Sequence, residues 1–299
     1  MFSISSSSII ITWFIIELNL MSFVGIILFS SGKEIKLIAI KYFTFQVNAS
    51  AVLFLLILFK SLSMVKLETI IILVLISKLG IAPIHMWFIR ILSKLEWNIF
   101  LWISIPQKLI PLIIISVLSE IGWSILLIVS TIVSTVYGIA QVKIKKVLGA
   151  SSVFRLNWLF LAMLINTNLW IIFFLVYSTI KLTLIISLLA IQKRIRYGSL
   201  AVLKLVSVMS IIGLAGIPPR PIFFIKLDVF INGASIIIPF TILVVIICSL
   251  IILYMYINTI IRLMILSTSD YKITLISNLG LFYLLLLVAY IRIFITIFN

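Results

Sequence analysis

Apolar runs long enough to cross a bilayer recur from one end of the chain to the other, with only short polar gaps between them. A hydrocarbon core of ~30 Å demands ~20 consecutive apolar residues in a helix. Applied to this pattern, that length predicts about ten spanning helices. They are Ile9 to Ser30, Ile38 to Phe59, Leu67 to Ile89, Trp97 to Leu118, Ile121 to Gln141, Val147 to Ile165, Leu169 to Ile191, Leu200 to about Val229, Ser235 to Leu263 and Ile273 to Phe298. The eighth is long and broken at Pro218-Pro219. No polar stretch is long enough to fold apart from the bilayer, so residues 1–299 read as one all-α, polytopic transmembrane domain.

The composition strengthens that reading. Of the 299 residues, 64% are hydrophobic and 10% charged, more apolar surface than a water-soluble domain could hide. The net charge of +16 would suggest nucleic acid in a soluble chain, but here the basic residues gather in short gaps between spans, as orientation signals do. Alternate gaps segregate. One side receives Lys33, Lys36, Arg90, Lys94, Lys143, Lys145, Lys146, Lys193, Arg194, Arg196, Arg262 and Lys272, and the other Lys60 and Lys66. This bias supports ten spans and puts both termini on the charge-poor side. Lys41, Lys204 and Arg292 lie close enough to span ends to snorkel.

Two counts exclude chemistry. One cysteine, Cys248, rules out an internal disulfide and a cysteine-ligated iron–sulfur cluster within the chain; one histidine, His85, rules out bis-histidine haem ligation. The amino-terminal residues Met1 to Ser8 carry neither the basic flank of a secretory signal nor an arginine-rich presequence. Insertion where the chain is made is the expectation.

Candidate chemistry lies where charge meets a helix breaker. Lys78 precedes Pro83, Lys108 follows Pro106, and Lys226 follows Pro218-Pro219-Arg220-Pro221. A charge at mid-bilayer costs ~2.5–3.5 kcal/mol on insertion scales, and irregular backbone at that depth is tolerated only where it lines a hydrated cavity or is buried in protein. The third and eighth spans are five apart in order and cross in opposite senses, as an inverted five-helix repeat requires. Desolvation disfavours an ammonium ion and a nearby carboxylate favours it, so a lysine between those influences can exchange a proton. Glu17 is the acidic residue deep in a span that could control Lys78 in this way. His85 could relay protons between Lys78 and Lys108 or cap freed carbonyls. Against a proton path stands the alternative that all these groups are static interhelical glue.

At these residues the sequence resembles the subunit 2 family of mitochondrial NADH:ubiquinone oxidoreductase, respiratory complex I, an antiporter-like membrane subunit family. The segments that carry the resemblance are Trp13 to Phe23 (WFIIELNLMSF), Lys41 to Ser50 (KYFTFQVNAS), Lys78 to Trp87 (KLGIAPIHMW), Pro106 to Pro111 (PQKLIP), Ala150 to Trp158 (ASSVFRLNW) and Gly213 to Lys226 (GLAGIPPRPIFFIK). The resemblance implies antiporter-like inverted five-helix repeats with two broken helices, plus flanking helices. It further implies a hydrophilic axis through Glu17, Lys78, Lys108 and Lys226 with His85 between the lysines, and no redox cofactor or metal in this chain.

NADH, flavin, iron–sulfur clusters and ubiquinone would then belong to partner subunits, and the neighbours would be other membrane-arm subunits, including antiporter-like ones, and lipids. The implied location is the mitochondrial inner membrane with the basic loops in the matrix. The chain departs from the family pattern at Arg155 and Asn157, where a histidine and a glycine are usual, and at Ile222, where a glycine is usual. Arg220 and Lys181 are additional charges. The expected count of ten helices is one fewer than animal members of the family carry, at the amino-terminal end. Rival readings are a free-standing cation/proton antiporter and a purely architectural membrane subunit.

Overall fold

The computed structural model describes residues 9–30, 32–62, 68–118, 124–192, 197–218, 220–233 and 239–265, and all the regular structure among them is helical. The helices are α1 (Ile9–Phe29), α2 (Lys33–Leu62), α3 (Glu68–Leu79), α4 (Met86–Lys94), α5 (Trp97–Ser104), α6 (Pro106–Leu118), α7 (Ser124–Ile139), α8 (Ile144–Ile165), α9 (Thr167–Gln192), α10 (Tyr197–Ala215), α11 (Pro221–Gly233) and α12 (Pro239–Ile265). Among these, six stretches are long and apolar enough to cross a membrane: α1, α2, α5 with α6, α8, α9 and α12. The tenth expected span, the segment before Ile9, and Lys66, Lys193, Arg194, Arg196, Lys272 and Arg292 lie outside the described residues.

The chain divides into two compact units, Met1–Asn157 and Trp158–Asn299. In the first, α1 packs on α2, α2 on α3 and α4, and α6 on α1, α3 and α5. In the second, α9 packs on α10 and α11, and α10 on α11 and α12.

The long helices carry apolar residues on every side, so the buried stripe is chosen by partners rather than by hydrophobicity. On α1 the stripe is Ile16, Leu20, Phe23 and Ile27, at helical spacing, while Phe14, Leu18, Met21 and Leu28 are exposed. The facing stripe of α2 carries Ala39, Tyr42, Gln46, Ser50, Leu53 and Ile57. Trp13 locks the pair by donating Nε1–H to the Ser50 carbonyl at 2.9 Å, and Phe23 meets Tyr42 edge-on at 5.3 Å. α8 differs from the others in being almost wholly buried.

Three expected spans are discontinuous. Leu67 to Ile89 divides into α3 and α4 because Gly80 takes a left-handed conformation, φ +70°. Ile81 N–H bonds to Ile76 O and Gly80 N–H to Ser77 O, a Schellman motif that satisfies the end of α3. A side chain at Gly80 would collide with Phe88, its Cβ 2.6 Å from the Phe88 Cβ, so only glycine admits this close return of α4. The eighth span ends at Ala215, before the proline pair expected to break it, because Gly216 has φ +76° and bonds back to Gly213 O. Pro218 continues an interruption that glycine begins, and Pro219 lies outside the described residues. In the fourth span Ile105 (φ −122°, ψ −73°) separates α5 from α6, and Pro106 opens α6 at the position where its missing N–H costs nothing.

Candidate functional site

In the first unit two residues of the expected axis, Lys78 and Lys108, line one small cavity between α1, α2, α3, α4, α5 and α6, and Glu17 and His85 do not line it. Its polar lining comes from Asn19, Gln46, Lys78, Gln107 and Lys108, its apolar walls from Tyr42, Trp87, Phe88 and others. About 30 Å³ is open to the centre of a water molecule. A water needs ~10–15 Å³ of such space, so the cavity admits water.

Lys78 occupies the last turn of α3, where the partial negative charge of the helix end favours a cation. It is 5% exposed, and its Nζ has no hydrogen-bond partner among the described protein groups. Its carbonyl accepts a bond from Gln46 Nε2 at 3.1 Å, which fixes the interrupted end of α3 to α2. Glu17, half-buried on α1, acts on the Lys78 ammonium through space. Its Oε2 is buried without a hydrogen bond. The carboxylate is thus in electrostatic reach of Lys78 without being bonded to it.

Lys108 is 3% exposed at the start of α6. Its Nζ lies 4.5 Å from the centroid of the Phe88 ring and 3.5 Å from Ser152 Oγ, at the limit of hydrogen bonding. The Arg155 guanidinium, buried on α8 and donating from Nη2 to Ser151 Oγ at 2.9 Å, places a like charge near it. The same ring of Phe88 that bars a side chain at Gly80 therefore carries the Lys108 ammonium on its face. The break in α3 and the cation of α6 are mechanically joined.

His85 is buried but hydrogen-bonds to neither lysine. Its Nδ1 lies 3.3 Å from the Pro83 carbonyl, its ring stands edge-on to Tyr137 at 5.4 Å, and Nε2 is buried without a partner. Asn157, at one of the departures from the family pattern, accepts a bond from Ser130 at 2.6 Å. Among the described residues no three His, Cys, Asp or Glu side chains converge as metal ligands.

Lys226 belongs to the second unit. It reaches from α11 to the broken end of α10, donating to the Ala215 carbonyl at 3.4 Å, with its Nζ 5.2 Å from the Trp158 ring centroid. A Cβ at Gly216 would stand 3.1 Å from that Nζ, so the glycine that breaks the helix also leaves room for the cation that caps it. Ile222 is fully buried and packs on the same glycine.

Three groups emerge that were not singled out from sequence. Gln46 holds the Lys78 carbonyl; Asn19 and Gln107 form a reciprocal amide pair between α1 and α6, with bonds of 2.9 and 3.3 Å. Each is an amide within an apolar span, and that was the available signal. Lys181, noted only as an extra charge, is fully buried and donates to the Tyr177 hydroxyl at 2.7 Å.

Comparison with known proteins matches this architecture. NADH-ubiquinone oxidoreductase chain 2 of Anopheles gambiae is 29% identical over 235 residues, covering 73% of this chain and 68% of that protein. The corresponding protein of Locusta migratoria is 28% identical over 232 residues, with the same coverage of both chains. A chain of respiratory complex I from Thermus thermophilus superposes with a TM-score of 0.72 at 16% identity, over 84% of this chain and 64% of that one. A chain of the Mrp complex from a Dietzia species gives 0.71 at 16% identity, over 82% of this chain and 55% of that one. Residues 6–252 match the family described as the NADH:quinone oxidoreductase/Mrp antiporter transmembrane family, and the chain belongs to that family.

Proposed function

We propose that this chain is a proton-translocating membrane-arm subunit of an NADH:ubiquinone oxidoreductase, itself without redox chemistry. The observation that carries the reading is the pairing of two buried lysines, Lys78 and Lys108, on one cavity large enough for water and adjoining two helix interruptions. Lys78 exchanges protons under the influence of Glu17. Lys108 passes them laterally, and Lys226 connects the second unit to the far side and to the neighbouring subunit. His85, whose Nε2 is unengaged, turns its ring between partners rather than bridging the lysines as it stands.

The driving free energy comes from NADH oxidation and quinone reduction in partner subunits, which hold the flavin, iron–sulfur clusters and quinone. Each proton must be given at least ~2.3 kcal/mol per 100 mV of membrane potential. A switch that moves Glu17 towards or away from Lys78 changes the Coulomb energy of an ion pair by ~4 kcal/mol at 4 Å in an effective dielectric of 20, which is the right size. The location that fits is the mitochondrial inner membrane, with the basic loops in the matrix.

Lys78→Met tests the reading. In the assembled complex it lowers the proton-to-electron ratio while NADH oxidation continues; an unaltered ratio sinks the assignment. Purification of the chain alone with cation/proton exchange activity would favour a free-standing antiporter. Normal pumping with Lys78, Lys108 and Lys226 each replaced would favour an architectural role.

A further inference from the structure

We propose that Lys181, in the second unit, is a further proton-carrying group, with the Tyr177 hydroxyl as its relay partner. This rests on the proton-translocating reading and extends it to residues that reading does not use.

Lys181 lies near the middle of α9, about 21 Å along the axis from its start and about 17 Å from its end at 1.5 Å per residue. It is 0% exposed. From that position its four-carbon stem cannot carry the charge to either interface, so the snorkelling that accommodates lysines near span ends does not apply. The side chain turns back one helical turn instead. Its Nζ donates to Tyr177 Oη at 2.7 Å and lies 5.2 Å from the centre of that ring. A phenol both accepts and donates, so this bond has an onward exit that a carbonyl would not provide.

The adjacent residue, Ile180, packs on Gly213 of α10, where a Cβ would stand 3.2 Å from Ile180 Cγ2. Gly213 accepts the backbone bond from Gly216 that ends α10, and Lys226 caps that end through the Ala215 carbonyl. Ile180, the neighbour of Lys181 on α9, and Lys226 on α11 thus both meet the last turn of α10. In transfer, an N–H bond of Lys181 breaks as its proton passes to Tyr177 Oη, and the phenolic O–H bond breaks as that proton passes to water. The lysine is left a neutral amine and the tyrosine a neutral phenol, and the amine takes up the next proton.

The test uses the assembled complex in sealed vesicles. Arginine keeps a positive charge and its donors but does not deprotonate in proteins. Lys181→Arg and Lys181→Met are both expected to lower the proton-to-electron ratio by the same amount as Lys78→Met, and Lys181→Arg combined with Lys78→Met to lower it no further. A normal ratio in Lys181→Arg overturns the proposal, because a charge kept for packing survives that change. An additive loss in the double variant overturns its place on the same path. If both Lys181 variants fail to assemble, Tyr177→Phe decides: several-fold slower proton release supports the relay, and unchanged release refutes it. Loss with Lys181→Arg alone, Lys78→Met being normal, would retain Lys181 as a carrier and discard the path through Lys78; normal ratios in both discard both.

Discussion

Replacing Gly80 with alanine strikes the point where α3 ends and α4 turns back. An L-residue in the left-handed region costs ~1–2 kcal/mol. The added methyl would stand 2.6 Å from Phe88 Cβ and 2.7 Å from Phe88 Cγ, atoms at the root of the side chain that cannot swing aside. Overpacking of that kind costs ~1–3 kcal/mol. Together the penalty is ~2–5 kcal/mol, or a ~30- to ~4,000-fold fall in the folded-to-unfolded ratio at ~1.4 kcal/mol per tenfold. Displaced Phe88 would also leave the Lys108 ammonium, which rests on its face. The control is Gly25→Ala in α1, where nothing lies within 4 Å of a new Cβ and helix propensity predicts a gain of ~0.5–1 kcal/mol. Amounts of assembled complex on native gels and thermal midpoints in detergent compare the two. Equal midpoints for Gly80→Ala and Gly25→Ala would refute both the backbone argument and the link between the α3 break and Lys108.

Two further outcomes follow from the polar contacts of the first unit. Gln46→Leu leaves the Lys78 carbonyl without its donor in a buried site and should cost ~1–3 kcal/mol, read as a lower thermal midpoint; an unchanged midpoint would show that the end of α3 does not depend on α2. A double-mutant cycle of Asn19→Ala and Gln107→Ala should give a coupling energy of ~0.6 kcal/mol, the average for hydrogen bonds between membrane helices, and no more than ~1.7 kcal/mol, whereas strict additivity would mean that the amide pair contributes nothing.

The spans were legible because twenty apolar residues in a row have few other uses, and the interruptions because Pro83, Pro106 and Pro218 stand inside such runs. Their positions were less legible. Glycine ended α3 and α10 before any proline was reached, since Gly80 and Gly216 adopt the positive φ that closes a helix and the prolines only forbid its resumption. Buried lysines could be recognised from sequence, but what each one touches could not. Lys78 and Lys181 are both lysines in apolar runs, yet one faces a cavity and the other a phenol one turn away. The buried stripe of each long helix was beyond periodicity, because Leu18 and Leu20 of α1 are equally apolar and only packing sends one outward and the other in.

The near-complete burial of α8 bears on how the chain enters its membrane. The helix carries Ser151, Ser152, Arg155 and Asn157 through its middle, all buried. Alone in lipid the arginine would cost ~2.5–3.5 kcal/mol, so this segment is a poor candidate for independent insertion. Its polar and small residues instead meet groups made earlier in synthesis: Gly149 faces Ile89 and Leu92 of α4, Ser152 meets Lys108 of α6, and Asn157 meets Ser130 of α7. Biogenesis must therefore hold the preceding helices together beside the insertion machinery until α8 emerges to join them, and truncation that removes α4, α6 or α7 should strand α8 outside the bilayer.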